Sequence, residues 1–378
     1  MSVGTNAGYA PAIGVLTQSS AMRVVVAERT RMPFVDAVRA LAATVIVAHH
    51  FSSYQPLADA ASPILGPLLN WFHDYGRVAQ VFIVLSGFML AGSMSHRRWD
   101  GGGAGRFVIQ RYFRLALPYF AAIGIAIVAG AIGRDWIDND VAGAMPTIQQ
   151  LLAHVLFLQD VLGYESLSAG LWFVCISFQL TLICVAGFFV RDVLLCKMPA
   201  WIHARVSRLP MALGWLLAVA SLFYFNRVSS WESWAVFFFC QFFLGVLVQR
   251  ALENPRAQRS LAIYVLVVTV SLAVDWRPRL ALALATGLVL FAGGKLGALS
   301  RWPSNRVVAF MGRTSYSLFL IHFPVLIIVA TLWEQQEWTS PMGAVAGLVF
   351  AYGVSVAAAT LFYRFVEQPA TRLSRRFA

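Results

Sequence analysis

Apolar stretches long enough to cross a bilayer recur along the chain at 34–54, 78–95, 107–132, 170–190, 210–226, 233–250, 260–275, 278–294, 313–332 and 342–364. A spanning helix needs about 17–25 such residues, so the pattern predicts ten spans joined by polar loops. The segments 210–226, 260–275 and 278–294 are short, and only Asp275, Trp276, Arg277 and Pro278 divide the last two, which sets the range at nine to eleven. The fold expected is all-α, a polytopic membrane protein of about ten transmembrane helices. Between the third and fourth spans, Thr147 to Leu158 mixes Gln149, Gln150 and His154 with leucines, the pattern of an amphipathic helix at a membrane interface.

Composition agrees: 59% of residues are hydrophobic and 12% charged, about half the charged share of a soluble domain. The net charge of +12 raises the possibility of a nucleic-acid partner, but its distribution excludes that reading. Twenty-three of the 29 lysines and arginines lie at one set of alternate loops, five (Arg77, Arg134, Arg227, Arg277 and Arg279) at the other, and Arg39 sits in the first span. Basic loops stay in the cytosol, so both termini are expected there. The opposite loops carry most of the acidic residues, among them Asp74, Asp160 and Glu165. The chain divides into a flexible cytosolic leader (1–32), a transmembrane domain (33–370) and a basic cytosolic tail (371–378). Cys175, Cys184, Cys196 and Cys240 show no metal-ligand spacing, and the turn Gly101-Gly102-Gly103-Ala104-Gly105 lacks the Lys-Ser/Thr of a phosphate-binding loop.

The candidate chemistry begins in the first span. Arg39 and His50 are eleven residues apart, a rotation of about 1100°, which returns within ~20° of the same helix face about 16 Å further along. Ionisable groups inside a membrane usually face a bundle interior or watery cavity. Arg39 suits bidentate phosphate binding or pairing with Asp36; His50 suits proton transfer, whereas His49 projects about 100° away. Arg111 and Arg114 share a face at the start of the third span and could clamp an anion or only fix orientation. His322 lies halfway along a late span, as a second candidate for the same cavity or as a packed structural histidine. No carboxylate lies deep in any span, so any acidic partner of His50 is expected from Asp74, Asp160 or Glu165.

These pieces together resemble the acyltransferase-3 family of integral-membrane acyltransferases. The matching elements are Arg39-x10-His50, Phe82 to Phe88 ending in Ser86-Gly87-Phe88, and Arg111-x-x-Arg114 with Pro118. Leu171-Trp172, Ser315-Tyr316-Ser317 with His322, and Glu367-Gln368-Pro369 extend the likeness over roughly 33–370. The resemblance implies an acyl-CoA donor, acetyl-CoA first, bound from the cytosol, and transfer to a hydroxyl of an extracytoplasmic glycan or glycolipid. By the same resemblance Arg39, Arg111 and Arg114 would hold the donor, with His50, and secondarily His322, as general base or transient acyl carrier, without a metal. A bacterial inner membrane is the expected location. One departure stands out: where the family commonly has a glutamate five residues past the Trp, this chain has Ser177. The competing class is a transporter of a glycolipid or acyl-bearing substrate, disfavoured because no two-half internal repeat is visible.

Overall fold

A computed structural model describes residues 32–377, except 95, 96, 98, 138, 303, 304 and 337, and gives the backbone alone at 139 and 140. Apart from Met32, the expected leader lies outside the described residues. All regular elements among the described residues are helical. The principal helices are α1 (Pro33–Ser53), α2 (Leu57–Tyr75), α3 (Ala79–Met94), α4 (Gly101–Gly133), α5 (Ile148–Val155), α6 (Leu171–Lys197), α7 (Leu209–Phe223), α8 (Ala235–Glu253), α9 (Gln258–Val274), α10 (Pro278–Lys295), α11 (Arg306–Gln335), α12 (Pro341–Phe362) and α13 (Gln368–Ser374).

Eight helical runs among the described residues are long and apolar enough to cross a membrane, and α2 with α3, bent by 42° at their junction, make a ninth. The protein is an integral membrane protein. Helix α10, the remaining expected span, is not among the nine; Arg279 and Lys295 occupy its two ends. Helix α2 falls where the sequence reading placed a loop. Its Pro63 and Pro67 suggest a broken segment, yet each proline removes only one intrahelical bond, and burial of Leu57, Ala58 and Ala61 against α1 and α12 holds the helix. Helix α5 is the expected amphipathic segment: His154 and Ala153 are buried, while Ile148 and Leu152 are exposed.

Local sequence explains several helix starts. Asp100 accepts from Gly103 N at 2.6 Å to begin α4, and Asn305 accepts from Val308 N at 2.7 Å to begin α11; each satisfies an otherwise free N–H. Helix α1 opens with Pro33 in its first turn, where the missing N–H costs nothing.

Two enclosed helices organise the packing. Helix α8 lies among α3, α7, α9 and α10, and α11 lies among α1, α4 and α12. Glycine decides the α3–α8 approach. A Cβ on Gly87 would sit 2.0 Å from Phe242 O, and one on Gly245 would sit 2.0 Å from Val84 O, so the two backbones touch. The pairings 84 with 245 and 92 with 249 make these helices parallel. Helices α1 and α11 are parallel too, since Gly312 packs on Asp36 and His322 meets His50.

Candidate functional site

Arg39 and His50 both turn into the bundle, Arg39 to a cavity and His50 to His322 on α11. Arg39 faces a cavity of about 1080 Å³ enclosed by α1, α3, α4, α6, α11 and the segment after α12. Arg111 and Arg114 enter the same cavity from α4, so the three arginines singled out in the sequence come together. The Nε of Arg111 is buried with no hydrogen-bond partner.

A carboxylate whose chemistry the sequence did not reveal lies among them. After Phe362 the chain makes one π-helical turn, Tyr363–Glu367. An inserted residue of this kind rotates the following side chains relative to an α-helix. Glu367 reaches the cavity, accepts a hydrogen bond from Ser317 Oγ and feels the charges of Arg114 and Arg39. Glu367-Gln368-Pro369 was visible as a motif; the turn that aims the carboxylate inward was not. Ser177 and Ser86 also line the wall, so the position that departs from the family pattern faces this cavity.

The cavity ends at three phenylalanines, one each from α3, α6 and α11. Phe82, Phe173 and Phe319 are in mutual contact, with ring centroids 5.6–6.1 Å apart. Gly170, at φ +91°, starts α6 against Phe319; a Cβ there would lie 2.8 Å from the ring's Cζ. Beyond Phe319, at 6.3 Å, is the ring of His322. The arginines and histidines therefore lie on opposite sides of an aromatic closure, which interrupts the face that Arg39 and His50 share.

His50 and His322 are brought together, their rings 5.1 Å apart. His322 is completely buried, and its Nδ1 donates to Leu318 O at 3.1 Å, which leaves Nε2 as an unpartnered lone pair. The Nδ1 of His50 is likewise buried without a partner. His50 also stacks on Tyr54 at 5.8 Å. His49 plays a different part: its Nδ1 donates to Phe72 O at 3.0 Å and fixes α2 over the end of α1. Of the carboxylates expected to assist His50, Asp160 spends its two oxygens on Gln159 and Ser166, and burial raises its carboxyl above the usual carboxylate range. His154 is a packing histidine, bonded to Gln150 O and Leu167 N. No group of three or more metal-ligating side chains gathers among the described residues.

An arginine-lined cavity, closed by three aromatic rings with paired imidazoles behind them, inside an all-helical membrane bundle fits group transfer from an anionic donor. Residues 32–363 match the family model described as an acyltransferase domain, acyltransferase-3, and the chain belongs to that family. A curated protein, the regulator of hypoxia-inducible factor 1 of Caenorhabditis elegans, is 34% identical over 76 residues, 20% of this chain and 15% of that protein. The match thus spans only a small part of that relative's length. No solved structure matches the chain.

Proposed function

We propose that the protein is an O-acyltransferase of a bacterial cytoplasmic membrane. It moves an acyl group, acetyl in the first instance, from cytosolic acyl-CoA to a hydroxyl of an extracytoplasmic glycan or glycolipid. Both termini would then lie in the cytosol, with the Arg39 end of the bundle. The observation carrying this reading is the order of groups along one line: clustered guanidiniums, an aromatic closure, then two unpartnered imidazole nitrogens.

Arg39, Arg111 and Arg114 would hold donor phosphates, where guanidinium forks give directional, charge-assisted hydrogen bonds. The thioester arm would run along the cavity wall towards Phe319 and reach the histidines when the rings part. His50 then accepts the acceptor's hydroxyl proton as the oxygen attacks the thioester carbonyl. The C–S bond breaks and the His50 imidazolium passes that proton to the departing thiolate, giving the free thiol and the neutral base. His322, held as its Nδ1–H tautomer, leaves Nε2 to orient or share that proton. The expected gain from a positioned base is about 10²–10⁴-fold.

The test is mass spectrometry of the host's surface glycans with wild type and His50→Ala. Wild type should add an acyl mass and the variant should not; equal acylation by the variant would remove His50 from the reaction. A trapped acyl-histidine in single-turnover experiments would replace the base role with that of covalent carrier.

A further inference from the structure

The cavity has a gradient of chemistry along its length. At its closed end stand Phe82, Phe173 and Phe319; along α3 the wall continues through Leu85, Ser86 and Met89 to Ser93. Phe82 to Ser93 is eleven residues, about 16 Å of helix. At the other end the wall turns cationic: Arg97, Arg313, Arg372 and Arg375 join the three arginines already described, against Asp36 and Glu367 alone. Such a shape fits a ligand with a multiply anionic head at the mouth and a long uncharged arm reaching inward.

Two of these cations come from the segment after the last long helix, beyond the 32–363 matched by the family model. That segment is built into the wall. Helix α13 packs on α4, Ala370 and Ser374 are buried, and the ring of Phe377 stacks on Phe113 at 4.9 Å and 15°. Arg372 and Arg375 are exposed at the cavity rim, with no side-chain hydrogen bond or ion pair among the described residues, while Arg376 lies outside the lining. A bias of basic residues towards one side of the membrane accounts for the presence of all three. It does not account for two of them lining the cavity on a docked helix.

We propose that Arg372 and Arg375 are donor-binding residues that hold the phosphate-bearing nucleotide end of acyl-CoA, so that the C-terminal segment completes the donor site. This rests on the acyl-CoA reading above. The outermost phosphates accept hydrogen bonds from the two guanidiniums at the mouth, and the inner arginines hold the phosphates next to the start of the thiol arm.

The test uses the full-length protein in nanodiscs and isothermal titration with coenzyme A and with pantetheine, which lacks the nucleotide phosphates. Arg372→Ala and Arg375→Ala should each weaken coenzyme A binding roughly three- to tenfold. Both should leave pantetheine binding unchanged, and Arg376→Ala should keep wild-type affinity for both ligands. Wild-type coenzyme A affinity in both rim variants overturns the assignment. So does an equal loss in Arg376→Ala, which marks a diffuse field effect, or a parallel loss of pantetheine, which marks local collapse. A wild type that binds no coenzyme A sinks the acyl-CoA reading and this proposal together. Normal coenzyme A binding with undiminished transfer by His50→Ala sinks only the assignment of His50.

Discussion

Phe319 touches every part of the site at once: it closes the cavity with Phe82 and Phe173, leans on Gly170 and lies one turn before His322. If the rings set how bulky an acyl group passes, Phe319→Leu should raise transfer from butyryl-CoA relative to acetyl-CoA. An unchanged ratio in competition assays would make the rings mere packing. Leucine is the better probe because truncating a buried phenylalanine to alanine costs about 3–5 kcal/mol. Gly170→Ala should act on the same ring from the other side. A left-handed residue with a Cβ is strained by about 1 kcal/mol or more, and this Cβ would also collide with Phe319. A lowered thermal midpoint and altered donor selectivity are expected together. The sequence held no mark of this closure: three phenylalanines in three apolar runs look like any other core residues until the helices assemble.

At the scale of the element, the π turn at Tyr363–Glu367 directs the cavity's chemistry. It sets a carboxylate beside clustered guanidiniums that would otherwise repel one another. Glu367→Gln retains an acceptor for Ser317 but deletes the charge. Coenzyme A binding should therefore tighten several-fold while the thermal stability of the ligand-free protein falls; weaker binding would mean that Glu367 positions the arginines rather than screening them. The α3–α8 contact is the other decisive element pair. Gly87→Ala places a methyl group against a backbone carbonyl that has no rotamer to yield, so about 1–3 kcal/mol of stability should be lost. A variant with the wild-type thermal midpoint would disprove that tight contact. Ser86-Gly87-Phe88 was legible as a motif, but the backbone contact that Gly87 makes with α8, and its partner Gly245, were not. The π turn could not be read either, because helical periodicity carries no signal for one inserted residue.

Over the whole molecule, hydropathy revealed most of the helical architecture. The 3.6-residue period alone put Arg39 and His50 on one face, and both do look into the bundle. What periodicity could not supply was the long-range pairing of His50 with His322, the inclusion of α2, or the docking of α13. Each depends on which faces meet in three dimensions. The orientation proposed has a direct check, since all four cysteines are free and only Cys196 is exposed. A membrane-impermeant maleimide should label Cys196 from the cytosolic side alone and leave Cys175, Cys184 and Cys240 untouched. Labelling of Cys196 from outside would invert the topology.

The aromatic closure also has an electrical consequence. A hydrated vestibule conducts, so it carries the potential of its own compartment inward to Phe319, and the membrane voltage then falls mainly across the rings and the imidazoles behind them. A donor seated in the vestibule stands outside that field and should bind with the same affinity in polarised and depolarised vesicles. A proton moving among the histidines crosses the steep part of the drop, where each 100 mV is worth about 2.3 kcal/mol for a full traverse. Turnover would then respond to membrane voltage while donor affinity stays constant.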